Sequence, residues 1–200
     1  MKRILSCLLL SVMVSSCSSR KLQKEYKVVD SNFEDVPEWI ADYKDWLGDQ
    51  DQEKNKFYKF ETDPKNDREM ACKIAKAQAS SHVAGEVKVK IKENLTQAIE
   101  GDSSDFETKL QEYVSNNLSM DIEANLSGLE VLNSYWEKRA YKKELGADKD
   151  YKAWSCTVLL KISKENLMKS IEDSKKKMLK LAQTNAAKET VNKLVEKAIE

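Results

Sequence analysis

The sequence predicts an α+β fold, with helices packed on one face of a small antiparallel sheet of about three strands and a long helix at the C-terminus. Three patterns carry this prediction. A short aromatic run precedes two helical stretches, two strand-like runs flank a polar turn, and a final helical stretch closes the chain. Strands and helices grouped in this order are typical of a layered α+β domain.

The first residues resemble a removable export signal. Lys2 and Arg3 form a positive start, and residues 4–14 form an apolar run too short to cross a bilayer as a permanent helix. The run leads into Val14-Ser15-Ser16-Cys17, which resembles a bacterial lipobox, in which the cysteine is acylated and becomes the new N-terminus. The alternatives are an ordinary secretory signal and a retained membrane segment. We expect a signal peptide at residues 1–16 and a covalent lipid on Cys17, and no other cofactor.

The expected lipid on Cys17 indicates where in the cell the protein is located. Each buried methylene contributes roughly 0.8 kcal/mol, so two or three acyl chains would hold the chain on a membrane almost permanently. Ser18 and Ser19 follow Cys17, instead of the Asp that retains many lipoproteins in the inner membrane. We therefore expect anchoring in the outer membrane on the periplasmic face, and exposure on the cell surface stays an alternative.

The charge balance argues against some partners. Removal of residues 1–16 takes away Lys2 and Arg3 and no acid, so 34 basic and 34 acidic residues become 32 and 34, and the net charge becomes −2. Nucleic-acid binding depends on a basic surface, and we predict no nucleic-acid partner.

A tether and a short helix are expected after the anchor. Residues 17–33 are polar and rich in lysine, which is typical of a flexible tether. An α+β domain is expected over residues 34–182. It begins with a short helix whose apolar residues include Trp39 and Trp46, seven positions apart and therefore on one face.

The next segment predicts a strand and a long helix. Residues 57–62 suit a strand, and Asp63-Pro64 is a helix start with Asp63 as the N-cap. The helix over residues 66–99 shows an i, i+4 stripe, although residues 87–92 also alternate as a half-buried strand would. We favour the helix because the stripe continues on both sides.

The second half predicts a helix, a hairpin and the C-terminal helix. A helix is expected over residues 105–118, and residues 126–138 and 151–162 form the two strands of a β-hairpin. Ser163 is a good N-cap for the last helix, which could break near Thr184-Asn185. Residues 183–200 are interpreted as a helical extension that packs on the domain or projects to pair with a partner helix.

Two cysteines remain within the domain, Cys72 and Cys156. In an oxidising periplasm they can form one disulfide, and the alternative is two buried thiols that never meet. A zinc site is discounted, because two distant cysteines and the single His82 supply too few ligands.

The residues that could act in catalysis do not form a recognisable active-site motif in the sequence. His82 lies in a helix beside Ser80 and Ser81, and adjacent helical residues do not face each other. The sequence has no phosphate-binding glycine loop and no nucleophile elbow. The four tryptophans, Trp39, Trp46, Trp136 and Trp154, could line an aromatic cleft for a ligand or partner, although core packing is the simpler interpretation.

Several of these features occur together in one family. A lipobox cysteine, a tether, Pro37-Glu38-Trp39-Ile40 and the alanine-rich segment Ala71–Ala79 together resemble the Lpp-twenty family of bacterial outer-membrane lipoproteins. The resemblance covers roughly residues 34–170. It implies a compact α+β domain without a known active site, and some members build rings around the flagellar motor. This chain lacks the glycine-rich stretch expected near the first strand and carries a long charged C-terminal helix.

The expected function is therefore that of a non-enzymatic envelope lipoprotein, a structural or assembly module at the outer membrane. Its partners would be the membrane, through the lipid, and either a second copy or another envelope protein. The alternative is a periplasmic binding module that holds a glycan, a peptidoglycan fragment or a peptide in an aromatic cleft.

Overall fold

The computed structural model describes residues 25–98, 105–182 and 184–199 of the 200-residue chain. The α+β fold and the long C-terminal helix predicted from the sequence are confirmed, with the correction that the sheet has four strands instead of three. The strands are β1 (Tyr26–Ser31), β2 (Asn55–Glu61), β3 (Glu130–Tyr141) and β4 (Tyr151–Ser163). Their order in the sheet is β1-β3-β4-β2, and every neighbouring pair is antiparallel.

The helices fall into a large layer and a small one. On one face of the sheet lies the large layer, and on the other lie two short helices that pack near Tyr135 and Leu159. The prediction that all helices lie on one face therefore needs this correction. The short helices are α1 (Glu38–Ala41) and α2 (Tyr43–Gly48), and the large layer contains α3 (Arg68–Ala77), α4 (Ala79–Ala98), α5 (Asp105–Asn116), α6 (Leu118–Asn125), α7 (Lys164–Leu181) and α8 (Asn185–Ile199).

The predicted hairpin is β3 with β4, and it divides the side chains between the two faces. Trp136 lies opposite Cys156 in the register. Two and four positions further along β4, Val158 and Leu160 bury their side chains against the large helical layer. Leu159 points to the other face, where it packs with Trp39. Both faces of β4 are buried, which explains why its sequence is a nearly continuous apolar run that predicts a strand.

The helix predicted over residues 66–99 is confirmed as α3 and α4. Val83, Val87, Ile91 and Leu95 are all buried in the main core. The alternative strand at residues 87–92 is therefore wrong, because the i, i+4 stripe is what the core covers.

The start of α3 differs from the prediction. Its N-cap is Asp67, whose side chain accepts a 2.8 Å hydrogen bond from the backbone N–H of Met70. Asp63 and Pro64 lie before the helix, in a segment that stays extended as far as Lys65, which forms an isolated bridge with Trp154. Asp67 is the N-cap instead of Asp63 because its side chain pairs a backbone N–H that would otherwise lack a partner in the first turn of α3.

The predicted tether is shorter than residues 17–33. Residues 26–31 form β1, which pairs with the end of β3 and places Tyr26 opposite Tyr141. The strand escapes sequence detection because it lies at the sheet edge and most of its side chains are exposed, so it shows no alternation of apolar and polar residues.

The predicted first helix is two helices. It breaks at Asp42, whose side chain accepts a hydrogen bond from the backbone N–H of Asp45 and so caps α2. Trp39 and Trp46 nevertheless reach the same small hydrophobic cluster.

Helix α8 belongs to the domain. The predicted break before it is confirmed, since α7 ends at Leu181 and α8 begins at Asn185. Val191, Leu194 and Val195 are buried in the main core, where α8 contacts α4 and α7. The alternative in which the segment 183–200 projects from the domain is therefore wrong for α8, because the domain itself covers the apolar stripe of this helix.

Candidate functional site

The predicted lipid-attachment residue, Cys17, and the signal peptide at residues 1–16 lie outside the described residues. The candidate surfaces all lie on the folded domain, which begins at β1.

The two domain cysteines are brought together. Cys72 of α3 and Cys156 of β4, 84 positions apart in the sequence, form a disulfide with their Cα atoms 5.1 Å apart. Cys156 is fully buried, whereas Cys72 is half-buried. The bond ties the large helical layer to the centre of the sheet.

The four predicted tryptophans form two separate pairs instead of one cleft. Trp39 and Trp46 lie with the short helices, and Trp39 is 5% exposed. Trp136 and Trp154 lie on the opposite face of the sheet, edge to face, with ring centroids 5.2 Å apart. The first pair packs the core, so only the second pair is left as a candidate ligand contact.

A groove beside the disulfide includes Trp136. Helix α3 supplies the other lining residues from positions one helical turn apart, which places them on one face. The groove holds about 460 Å³. We call it the Trp136 groove, and it is lined by Arg68, Glu69, Cys72, Lys73, Lys76 and Trp136.

Cations and rings dominate the Trp136 groove. The guanidinium of Arg68 lies 5.0 Å from the Trp136 ring centroid. Next to the groove but outside its lining, Lys138 Nζ lies 4.8 Å from the Trp154 ring centroid. Three basic side chains face a single carboxylate, Glu69, which pairs with Lys73 at 2.8 Å. Such a groove suits an anionic ligand with a flat or apolar part.

A second cleft lies on the other face of the sheet, around a buried arginine. Arg139 Nε donates to Glu137 Oε1 at 2.6 Å, and an Nη of Arg139 lies 2.7 Å from Glu61 Oε1. Tyr135 donates from its hydroxyl to Glu137 Oε2 at 3.2 Å, and the Tyr26 ring stacks 4.3 Å from the guanidinium. The cleft holds about 300 Å³.

The charged members of this cluster are paired with one another, which leaves no free acid or base among them. Arg139 and Glu137 are 7% and 6% exposed, and buried charges are tolerated only when they are paired in this way. Burial raises the pKa of Tyr26 to about 12, so its phenol stays neutral and protonated across the physiological range. Burial also raises the pKa values of Tyr135 and Tyr141.

This cluster is not among the sites predicted from the sequence, although the residue pattern of β3 indicates it. Tyr135, Glu137, Arg139 and Tyr141 alternate along β3 and therefore lie on one face of the sheet. A strand that alternates charged and aromatic residues on its second face indicates a paired polar cluster there.

His82 lies on α4 in a plain environment. Its Nε2 is 3.8 Å from Glu86 Oε1, and its ring packs 4.8 Å from that of Phe60. Among the described residues, no group of three or more His, Cys, Asp and Glu side chains could hold a metal ion.

The exposed apolar side chains concentrate at one edge of the sheet. Within the part of the chain that the structure describes, ten large hydrophobic side chains are exposed, and six of them belong to β1, to the segment after it, or to the start of β3. Val28 and Val29 lie beside the end of β3, whereas Val131 and Leu132 lie at its start, so the exposed residues are spread along this edge. Exposed apolar residues along a sheet edge mark interaction surfaces. We call this surface the β1 edge patch, and it comprises Val28, Val29, Phe33, Val36, Val131 and Leu132.

No family model matches this chain, and no curated protein and no solved structure matches it either. Within the described residues, none of the helices is both long enough and apolar enough to cross a membrane.

Proposed function

We propose that this chain is a non-enzymatic lipoprotein of the bacterial outer membrane, of the Lpp-twenty type, and that its domain is a structural or assembly module. The lipid on Cys17 would be its anchor, with the domain on the periplasmic side. The β1 edge patch is the observation that carries the assembly part of the proposal.

The distance between the anchor and the domain supports this function. Only eight residues separate Cys17 from Tyr26, where β1 begins. A chain extends by at most about 3.6 Å per residue, so the start of β1 stays within about 30 Å of the anchor. The edge patch is therefore held close to the membrane, where neighbouring anchored molecules are concentrated in two dimensions.

The composition of the edge patch also supports it. Val28 is 44% exposed and Val29 is 51% exposed, on a strand that forms the edge of the sheet. Exposed edge strands are templates for pairing with another chain.

The test is a photo-crosslinking experiment on the full chain in a bacterial envelope. A photoreactive phenylalanine analogue replaces Val29 in one variant and Val89 of α4 in a matched control, because both side chains are 51% exposed. We expect a discrete crosslinked species from position 29 and none from position 89. It should weaken when Cys17→Ser removes the anchor. Equal crosslinking from both positions, or none from position 29, would contradict the assembly function.

A second candidate function rests on the Trp136 groove. Its cations and its half-buried ring suit an anionic glycan, peptidoglycan fragment or peptide. Titration with such ligands should change the tryptophan emission of the wild type and not that of Trp136→Phe, with Trp46→Phe on the other face as the control. The binding should weaken with salt, since the groove is basic. Unchanged emission across all three ligand classes would remove this candidate.

A further inference from the structure

The β1 strand, Tyr-Lys-Val-Val-Asp-Ser, is complementary to itself when it is paired in the antiparallel direction. Centred between Val28 and Val29, the pairing sets Lys27 of each copy opposite Asp30 of the other. We propose that two copies of this chain associate by pairing their β1 strands in this register, which would extend the sheet from four strands to eight. The inference rests on the proposed assembly function and names its partner as a second copy.

A β-bulge in β1 makes this register consistent with the pleat. Residues directly opposite each other in an antiparallel pair point to the same face. Lys27 and Asp30 are three positions apart, so in a regular strand they would point to opposite faces. The register of β1 with β3 shifts between Val28 and Asp30, so that Lys27 faces Ala140 and Asp30 faces Lys138. Because residues 138 and 140 share a face, Lys27 and Asp30 share it too.

The side chains of β1 favour the pairing. Two Lys27–Asp30 pairs form by symmetry, and they flank a centre of exposed valines whose apolar surface the second strand covers. Lys27 already lies 3.5 Å from Glu144 Oε1, but both side chains are about two-thirds exposed. Such an exposed contact is weak, so it would not hold Lys27 away from the partner.

The proposed dimer is compatible with two anchors in one membrane. In this register Tyr26 of one copy lies opposite Ser31 of the other, so the two strand starts are about 17 Å apart along the strand direction. Each start lies within about 30 Å of its own Cys17, so both lipids reach the same leaflet.

Charge reversal tests the register. The molar mass of the full acylated protein is measured by light scattering with a correction for bound detergent. The detergent is supplied at more than one micelle per chain, so that two chains do not share a micelle by chance. We expect a dimer for the wild type. Lys27→Asp and Asp30→Lys each place like charges opposite each other twice, which should raise the dimer dissociation constant by about tenfold or more. The double variant Lys27→Asp/Asp30→Lys restores opposite charges and should restore the dimer.

Lys149→Asp reverses an exposed lysine in the β3–β4 loop and should leave the dimer unchanged. A monomeric wild type, or a dimer insensitive to either single reversal, would overturn the β1 pairing. So would a double variant as weak as the single ones. Crosslinking from position 29 to a different protein would leave the assembly function standing while this inference fails.

Discussion

Tyr113 of α5 donates a 2.6 Å hydrogen bond from its hydroxyl to Oδ2 of Asp121 in α6. The same oxygen accepts from Nζ of Lys177 in α7 at 2.8 Å, so one carboxylate links three helices of the large layer. The hydrogen bond from Lys177 and that from Tyr113 hold the pKa of Asp121 below its usual value.

This carboxylate predicts an acid-sensitive part of the stability. A carboxyl group whose pKa is lowered by folding contributes its full stabilisation above its unfolded pKa, near pH 4, and loses it as the pH falls through the folded value. Asp121→Asn should lower the free energy of unfolding by about 1–2 kcal/mol at pH 7. The difference from the wild type should shrink below about pH 4.

Denaturant unfolding at pH 7 and at intervals down to pH 2.5 measures this difference. Glu172→Gln is the control, because Glu172 is exposed on the same helix α7 and should not change stability measurably. A constant difference between Asp121→Asn and the wild type at every pH would show that ionisation of Asp121 contributes nothing.

The disulfide predicts a large change on reduction. Because it closes a long loop, loss of the bond between Cys72 and Cys156 should cost about 4 kcal/mol. For a domain of this size that corresponds to a fall in Tm of about 10 °C. Thermal unfolding with and without a reductant measures the fall. The double variant Cys72→Ala/Cys156→Ala should unfold at the lower temperature in both conditions. A wild type indifferent to reductant would contradict a stabilising disulfide.

The buried arginine predicts a strong coupling within the sheet. Arg139→Met leaves Glu137 buried without its partner and should cost about 3–5 kcal/mol. Addition of Glu137→Gln should recover much of that loss, because the uncompensated buried charge is gone. A double-mutant cycle by denaturant unfolding measures the coupling. Additive effects of the two changes would mean that the pair is not coupled.

Helix α8 should be integral to the domain. Leu194→Ala creates a cavity between α8 and the neighbouring helices and should cost about 2–4 kcal/mol. Glu196→Ala, on the exposed side of the same helix, should change stability by less than about 0.5 kcal/mol. If Leu194→Ala were as mild as Glu196→Ala, α8 would not pack on the core.

The elements that the sequence predicts well are those with their own local pattern. Strand β4 alternates apolar residues on two buried faces, and α4 repeats valine, isoleucine and leucine every fourth residue. The N-cap of α3 is harder to predict, because both Asp63 and Asp67 precede the helix. The structure shows that Asp67 accepts the hydrogen bond from the backbone N–H of Met70.

The elements that escaped prediction depend on contacts between distant parts of the chain. Strand β1 exists because Tyr26 meets Tyr141, near the far end of the hairpin. The sequence gives no indication of that pairing, since the strand is short, exposed and flanked by charges. The same holds for the candidate surfaces, because the Trp136 groove needs α3 against β3, and the edge patch needs β1 along the end of β3 with the start of β3 left uncovered.

Lipid attachment at Cys17 is the claim on which the proposed location depends. The direct measurement is the intact mass of the protein purified from the membranes of a bacterium that expresses the full chain. We expect a chain that begins at Cys17 and carries a diacylglycerol and an amide-linked acyl group, and a Cys17→Ser variant without that lipid mass. A chain that begins at residue 17 without lipid, or one that retains residues 1–16, would contradict it.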